Sequence, residues 1–372
     1  MTTHPVSPNT VLANALSHAE DALTPHILAA APERIVFVVG TQINGAPHIG
    51  TSLVQSLTFT TAERVRRKFG VPVTVLFHAL DNAPHTIVQD PVTGHRYQRA
   101  YAQALGEQVA AEQVLALYGP YFSALSERLH VPFRVETYSH QQATTRFRET
   151  WLRVLPRVSA ARWWLAPSGG RPHLRTPCPH QGCGWAEKYA QRTRVERIDS
   201  ERAKIHAVCL DHGEYVVDVT PTSGAYLDLA TLYRNLVKEL SLATTSGTLH
   251  VMVKGGDWVF GSYLVDGALQ SIGLSLSQLP ARLFCPQVVT DTGAKLSKSL
   301  IREGRAALPE GAEPWMLDTR EWPGSPAEYV ERLLALSELL LSDPRHFFRS
   351  YSAGELAHVM TTAPAPRSVS AP

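Results

Sequence analysis

Ile35-Val36-Phe37-Val38-Val39-Gly40, a loop with Asn44, and then Gly45-Ala46-Pro47-His48-Ile49-Gly50-Thr51 form the stretch on which the fold turns. Its first five residues are all β-branched or aromatic, the pattern of a short strand buried on both faces at the centre of a parallel sheet. Helical spacing starts at Ile49 and runs to Lys68, with Gly70 as its stop. Residues 71–77 read as a second strand and 249–253 as a third. Strands alternating with helices predict an α/β fold, a doubly wound, Rossmann-like parallel sheet whose ligands sit beyond the carboxyl ends of the strands.

Outward from that core the chain divides by composition. Leu16, Ala19, Leu23 and Ile27 lie at helical spacing and predict a leading helix over residues 12–28, broken at Pro25. The two halves of the sheet, 1–151 and 247–305, are separated by 152–246, which holds Trp163, Trp164 and three of the four cysteines and reads as an inserted module. Helical spacing returns over 326–341, so 306–360 is expected to be a small helical region. The Ala/Pro/Ser/Thr-rich residues 361–372 are expected to be a disordered tail. Of the 372 residues, 44% are hydrophobic and 18% charged, which excludes a disordered chain. Lys+Arg 35 against Asp+Glu 33 leaves +2, so bulk charge gives no argument for nucleic-acid binding. No apolar run reaches the roughly 18–20 residues of a membrane helix. The polar first ten residues lack the basic start and apolar core of a secretory signal. Four cysteines are too few for a disulfide scaffold of this length. A cytoplasmic protein without membrane partners is the expectation.

Two motifs carry chemistry. A helix starting at Ile49 presents free N–H groups and a positive dipole to an anion, with His48 able to donate to phosphate and Gly50 allowing close approach. The same residues would serve a plain turn whose histidine caps the helix. Lys295-Leu296-Ser297-Lys298-Ser299 follows the turn-forming Asp291-Thr292-Gly293. Its two point charges and interleaved hydroxyls suit a polyphosphate, and by itself the pentapeptide would also pass for a solvated basic loop.

Taken together, these motifs resemble the HIGH and KMSKS signatures of class I aminoacyl-tRNA synthetases. The order of other features resembles the archaeal-type (class I) lysyl-tRNA synthetases. A leading helix comes first, then Asp90-Pro91 with Gly94-His95 before a tyrosine-bearing helix, then a cysteine module inside the sheet. Lys254-Gly255-Gly256-Asp257-Trp258 is similar to that family's Gly-Lys-Asp-His element. The resemblance covers residues 15–305 and implies a HUP-type catalytic domain.

It also implies ATP-dependent amino-acid activation, with an aminoacyl-adenylate and pyrophosphate as products and Mg²⁺ on the phosphates. His48 would bond the phosphates in the transition state, and Lys295 and Lys298 would hold the β- and γ-phosphates. Gly45, Gly50, Thr51, Gly255, Ser297 and Ser299 would border ATP, and Asp257 would accept from the ribose unless it is simply a helix N-cap. Thr41, Gln42, His78, Asp81, Tyr226 and Trp258 are candidates for contact with the amino acid, each equally suited to a structural hydrogen bond; Asp228 is a further one. An aspartate facing a dry pocket would suit a cationic side chain. The pattern departs from the family at Thr51, Leu296, Gly256 and Trp258, of which the last two put the adenine-side contacts in doubt.

Cys178-x4-Cys183 and Cys209-x2-His212 form two paired ligand sets with Gly182, Gly184 and Gly213 beside them, the donors and tight turns of a structural Zn²⁺ site. Cys285 stands alone and is expected to pack as a small apolar residue. The lysyl family carries a large helical anticodon-binding domain after its KMSKS loop, and too few residues follow Ser299 here for one. The expected acceptor is therefore a small-molecule amine or hydroxyl, or a carrier protein. The runner-up is the acceptor end of tRNA, which Arg192, Arg194, Arg197 and Arg202 would meet if they are more than a solvated face. Nucleotidyl transfer is a further alternative, disfavoured by the cysteine module and the KLSKS loop. An inactive regulatory paralogue is another, disfavoured by the intact His48, Lys295 and Lys298.

Overall fold

A computed structural model describes residues 10–166, 171–290, 292–302 and 304–362, without the side chains of 10–12, 299 and 302. Asp291 and residues 363–372 of the expected tail lie outside the described residues. Five parallel strands form the centre: β1 (Arg34–Gln42), β2 (Val73–Leu80), β3 (Phe133–Thr137), β4 (Thr248–Gly255) and β5 (Ala281–Cys285), in the order β5-β4-β1-β2-β3. The chain builds outward from β1 in one direction, then returns to its other side with β4. That reversal puts a crevice beyond the carboxyl ends of β1 and β4, the switch point of a doubly wound sheet.

Alternation along β1 fixes what covers each face. Ile35, Phe37 and Val39 belong to the main core with Leu53 and Leu57 of α1 (Ile49–Phe69). Val36 and Val38 meet Leu76 and Met252 on the opposite face. On the first face an aromatic cluster joins four elements. Phe122 of α2 (Glu107–Leu129) is fully buried, with ring centroids 4.8 Å from Phe77, 5.7 Å from Phe133 and 5.8 Å from Phe59. The opposite face is covered by α3 (Thr231–Ala243) and α4 (Val259–Ser271), which share a core with Trp151 and Leu165. The sheet's own covering helices thus extend into 152–246.

Within that span, the strands Arg194–Arg197, Ala203–Cys209 and Gly213–Val219 make an antiparallel sheet. The hairpin Pro84–Gln89/Arg96–Ala100 from the first half pairs with Ala186–Glu187. The helical region after residue 306 is part of the main core. Its helix α5 (Pro326–Leu341) lies along α1, with Ser56 Oγ 2.8 Å from Ser337 Oγ and Arg64 donating to the Leu341 carbonyl at 2.8 Å.

The leading helix differs from the sequence expectation. It comes in three pieces: Thr10–Ala15, a 3₁₀ turn Ala19–Leu23 and Thr24–Ala30. The interruption precedes Pro25, because Asp21 accepts from the His18 backbone N–H at 2.9 Å and starts a new turn there. Pro25 sits in the first turn of the last piece, where its missing N–H costs nothing. Among the described residues, no helix is long and apolar enough to cross a membrane.

Truncating the hub of the aromatic cluster, Phe122→Ala, should lower unfolding stability by about 3–5 kcal/mol in urea titrations. A loss below about 1 kcal/mol would show that the cluster does not hold β2, β3 and α1 together.

Candidate active site

Beyond the carboxyl ends of β1 and β4 lies a cavity of about 670 Å³. The β1–α1 connection contributes Thr41, Gln42, Gly45, His48, Gly50 and Thr51 to its wall. The end of β4 adds Gly255, Asp257 and Trp258, and the late loop adds Lys295, Ser297 and Lys298. The two motifs, remote in sequence, therefore face one space. The side chain of Ser299 lies outside the described residues.

Apolar anchoring holds the late loop in place. Leu296 is buried in the main core, and its N–H donates to the Val288 carbonyl at 2.9 Å. The flanking lysines then project into the cavity. Lys298 Nζ donates to the Ala46 carbonyl at 2.7 Å, and Lys295 Nζ lies 2.5 Å from Asp257 Oδ2. From the other side, the Thr319 N–H donates to the Pro47 carbonyl at 3.0 Å, so the turn before His48 is clamped twice.

His48 occupies the N-cap position of α1 with extended backbone, and its side chain makes no cap hydrogen bond. The ring Nε2 instead lies 3.1 Å from Thr51 Oγ1. At Gly50 a Cβ would stand 3.0 Å from His48 Cε1 and would crowd the ring. Burial, followed by the nearby Lys295 and Lys298 charges, pushes the imidazole down to about 4. At neutral pH it is uncharged and carries one N–H, to give to Thr51 or to an incoming anion.

Of the residues expected to meet an amino acid, Thr41, Gln42, His78 and Trp258 line the cavity; Asp81 and Tyr226 do not. β2 ends at Leu80, and alternation sends His78 and Leu80 to the cavity side. The chain then turns, so that Asp81 accepts from the Ser139 backbone N–H at 3.0 Å. There it is fully buried, and burial pushes its carboxyl up to about 6. Tyr226 lies in the same polar cluster, its hydroxyl 3.4 Å from Ser139 Oγ. Asp228 is held by Arg175 at 2.6 and 3.0 Å and by Asn82 at 2.8 Å. These groups tie the substructure together beside the cavity. Three lining residues, Arg234, Asn235 and Lys238 of α3, do not stand out in the sequence. Their only signal is polar residues at helical spacing among Leu236, Val237 and Leu240.

The cysteine site assembles as its spacing implies. Ligand atoms of Cys178, Cys183, Cys209 and His212 all lie within 4.8 Å of one another. Cys183 Sγ is 3.4 Å from Cys209 Sγ, and His212 Nδ1 is 3.6 Å from both Cys178 Sγ and Cys209 Sγ. Metal–sulfur bonds of about 2.3 Å at tetrahedral angles set donors about 3.7 Å apart, so the cluster fits Zn²⁺. Gly184, at φ 69°, turns the chain away from Cys183 in a conformation that a side chain would strain. Two further histidines of this span are not in the cluster: His180 stacks on the His212 ring at 4.1 Å, and His206 pairs with Glu196. Cys285 is buried in the main core, where burial pushes its thiol well up.

No known family model matches this sequence, and no curated protein matches it. Solved structures show low likeness. One of Mycobacterium tuberculosis methionyl-tRNA synthetase bound by methionyl-adenylate is 14% identical with a TM-score of 0.38, covering 88% of this chain and 68% of that one. Another of that enzyme in complex with methionyl-adenylate is 15% identical with a TM-score of 0.40 over the same shares. A Campylobacter jejuni protein assigned as an arginyl-tRNA synthetase is 10% identical with a TM-score of 0.34, covering 94% and 72%. Likeness at this level assigns no residue, and the fold rests on the strand order itself.

Two outcomes follow from this geometry. Purified protein should contain about one zinc ion per chain, and Cys209→Ser should lose the metal and melt at lower temperature; folded protein free of zinc would remove the site. For His48, the folded value of about 4 lies below the ordinary 6.5, so between them the unfolded chain binds the extra proton. The stability contributed by neutral His48 is present above pH 6.5 and is lost as pH falls toward 4. His48→Asn should therefore show a smaller drop in urea midpoint between pH 7 and pH 5 than the unaltered protein, and an equal drop would contradict the buried, neutral assignment.

Proposed function

We propose that this chain activates an amino acid with ATP, as class I aminoacyl-tRNA synthetases do, forming an aminoacyl-adenylate and releasing pyrophosphate. One observation carries the reading: His48, Lys295 and Lys298 converge on a single cavity at the switch point of a doubly wound sheet. In the reaction a carboxylate oxygen bonds to the α-phosphorus as the bond from that phosphorus to the bridging oxygen breaks. The electron pair leaves with pyrophosphate. Such a transfer needs alignment and stabilisation of phosphate charge.

Neutral His48 would donate to the phosphate oxygens as their charge redistributes. Lys295 and Lys298 would leave Asp257 and the Ala46 carbonyl for the β- and γ-phosphates. Asp257, once released, would accept from the ribose hydroxyls. Gly45, Gly50, Thr51, Gly255, Ser297 and Ser299 would border the nucleotide, and Trp258 would wall its adenine side. Asp257 is the one carboxylate among the described cavity-lining residues and is already paired, so Mg²⁺ would arrive held by phosphates and water. Thr41, Gln42 and His78 remain the candidates to orient the amino acid. The motif order that resembles the lysyl subgroup would mark kinship with it and carries no lysine specificity.

For the second half-reaction we infer a small-molecule amine or hydroxyl, or a carrier protein, as acceptor.

Amino-acid-dependent ATP–pyrophosphate exchange tests the reading. Exchange should proceed without tRNA, and His48→Ala should slow it about 10²–10³-fold with an unchanged fold. No exchange with any amino acid, or full activity without the imidazole, would refute it.

A further inference from the structure

The cavity continues past its phosphate-facing wall onto the sheet face that α3 covers. Register places Gly40 of β1 beside His78 of β2, and Val38 beside Met252 of β4. By alternation Lys254 falls on the same face as Met252, and all five residues line the cavity. Gly40 keeps the floor open: a Cβ there would stand 2.8 Å from the His78 carbonyl oxygen and 3.2 Å from the His78 Cβ. Across from this floor, α3 contributes Arg234 and Lys238, one helical turn apart.

These two cations have no carboxylate of their own. Among the described residues neither forms an ion pair, and Arg234 lies 5.5 Å over the Tyr138 ring. The surrounding acids are engaged elsewhere. Glu136 holds His78 at 3.1 Å, and Glu239 is shared between Lys254 at 3.3 Å and Arg282 at 2.7 Å. Both oxygens of Asp228 are taken by Arg175 and Asn82. Like charges at i,i+4 repel, and cations withdrawn from water are costly unless an anion meets them. Burial first, and then Lys254, push the Lys238 ammonium down to about 7.

The pair is also distinct from the phosphate-facing set. Lys295 and Lys298 stand on the late loop against Asp257 and the Ala46 carbonyl, whereas Arg234 and Lys238 stand on α3. The cavity thus carries two separate cationic groups, and one substrate carboxylate is already committed to the reaction beside His48.

We infer that the α3 face of the cavity is an anion subsite, and that the amino acid activated here carries an acidic side chain held by Arg234 and Lys238. This rests on the adenylate-forming reading and names its substrate class. A cationic substrate such as lysine would add a third positive charge to a site that lacks a free acid.

The test measures exchange with L-glutamate, L-aspartate, their amides and L-lysine, alongside calorimetric binding of glutarate without ATP. Exchange should favour the acidic amino acids over their amides by about 10- to 100-fold in kcat/KM. Lys238→Met should raise KM for the acidic substrate at least about tenfold with kcat little changed, and Arg234→Gln should do the same if it folds. Exchange with amide or cationic amino acids but not acidic ones would overturn the subsite and leave the activation reading intact. Absence of all exchange would overturn the activation reading. In that case glutarate binding that Lys238→Met abolishes would support the anion subsite, and no glutarate binding by the unaltered protein would overturn it.

Discussion

The hydrogen bond from Lys298 to the Ala46 carbonyl joins parts of the chain 252 positions apart, and the candidate site depends on that closure. It is possible because Leu296 is buried as an apolar anchor between the two lysines, which leaves both ammonium groups directed toward the cavity. Lys295 and Lys298 bond to Asp257 and to a backbone carbonyl, one charge and one dipole where a polyphosphate offers several charges. Nucleotide entry would exchange these partners without remodelling the loop's apolar root. On the proposed reading the site is preorganised by packing, and the polar contacts of the two lysines are the ones a nucleotide would exchange.

The charges are divided across the cavity. At one end burial, reinforced by the charges of Lys295 and Lys298, keeps the imidazole unprotonated. At the other end Arg234 and Lys238 face space in which the nearby acids are already engaged. Between them lies the open floor at Gly40. On the proposed reading, this division would let one cavity handle phosphate chemistry and side-chain selection with separate residues. Beside it, the Asp81–Ser139–Tyr226 cluster and the Arg175–Asp228–Asn82 set tie hairpin, helix and sheet together.

What the sequence discloses follows from how local each signal is. The run Ile35 to Val39 reads as a central strand because burial on both faces leaves no polar residue in it. Its true end at Gln42 is hidden, since Thr41 and Gln42 are polar where they border the cavity. Helix α1 and helix α5 are evident from periodicity and from Gly70 and Pro326 at their ends. The cysteine cluster is legible because ligand spacing and knuckle glycines are local. Strands of two residues, such as Ala186–Glu187, exist only through tertiary pairing and have no pattern to read. Asp81 misleads because one residue of turn beyond Leu80 decides whether its carboxylate faces the cavity or a helix backbone. Arg234 and Lys238 escape notice because basic residues on an amphipathic helix look like a solvated face until the partner sheet is known.

The most direct measurement of the central claim is a crystal structure of this protein with Mg²⁺ and a non-hydrolysable ATP analogue. The account predicts the triphosphate beyond β1, with the His48 imidazole and the Lys295 and Lys298 ammonium groups at hydrogen-bonding distance from its oxygens and Asp257 freed toward the ribose. A nucleotide bound elsewhere, or one in this cavity that leaves Lys295 on Asp257 and Lys298 on Ala46, would contradict it.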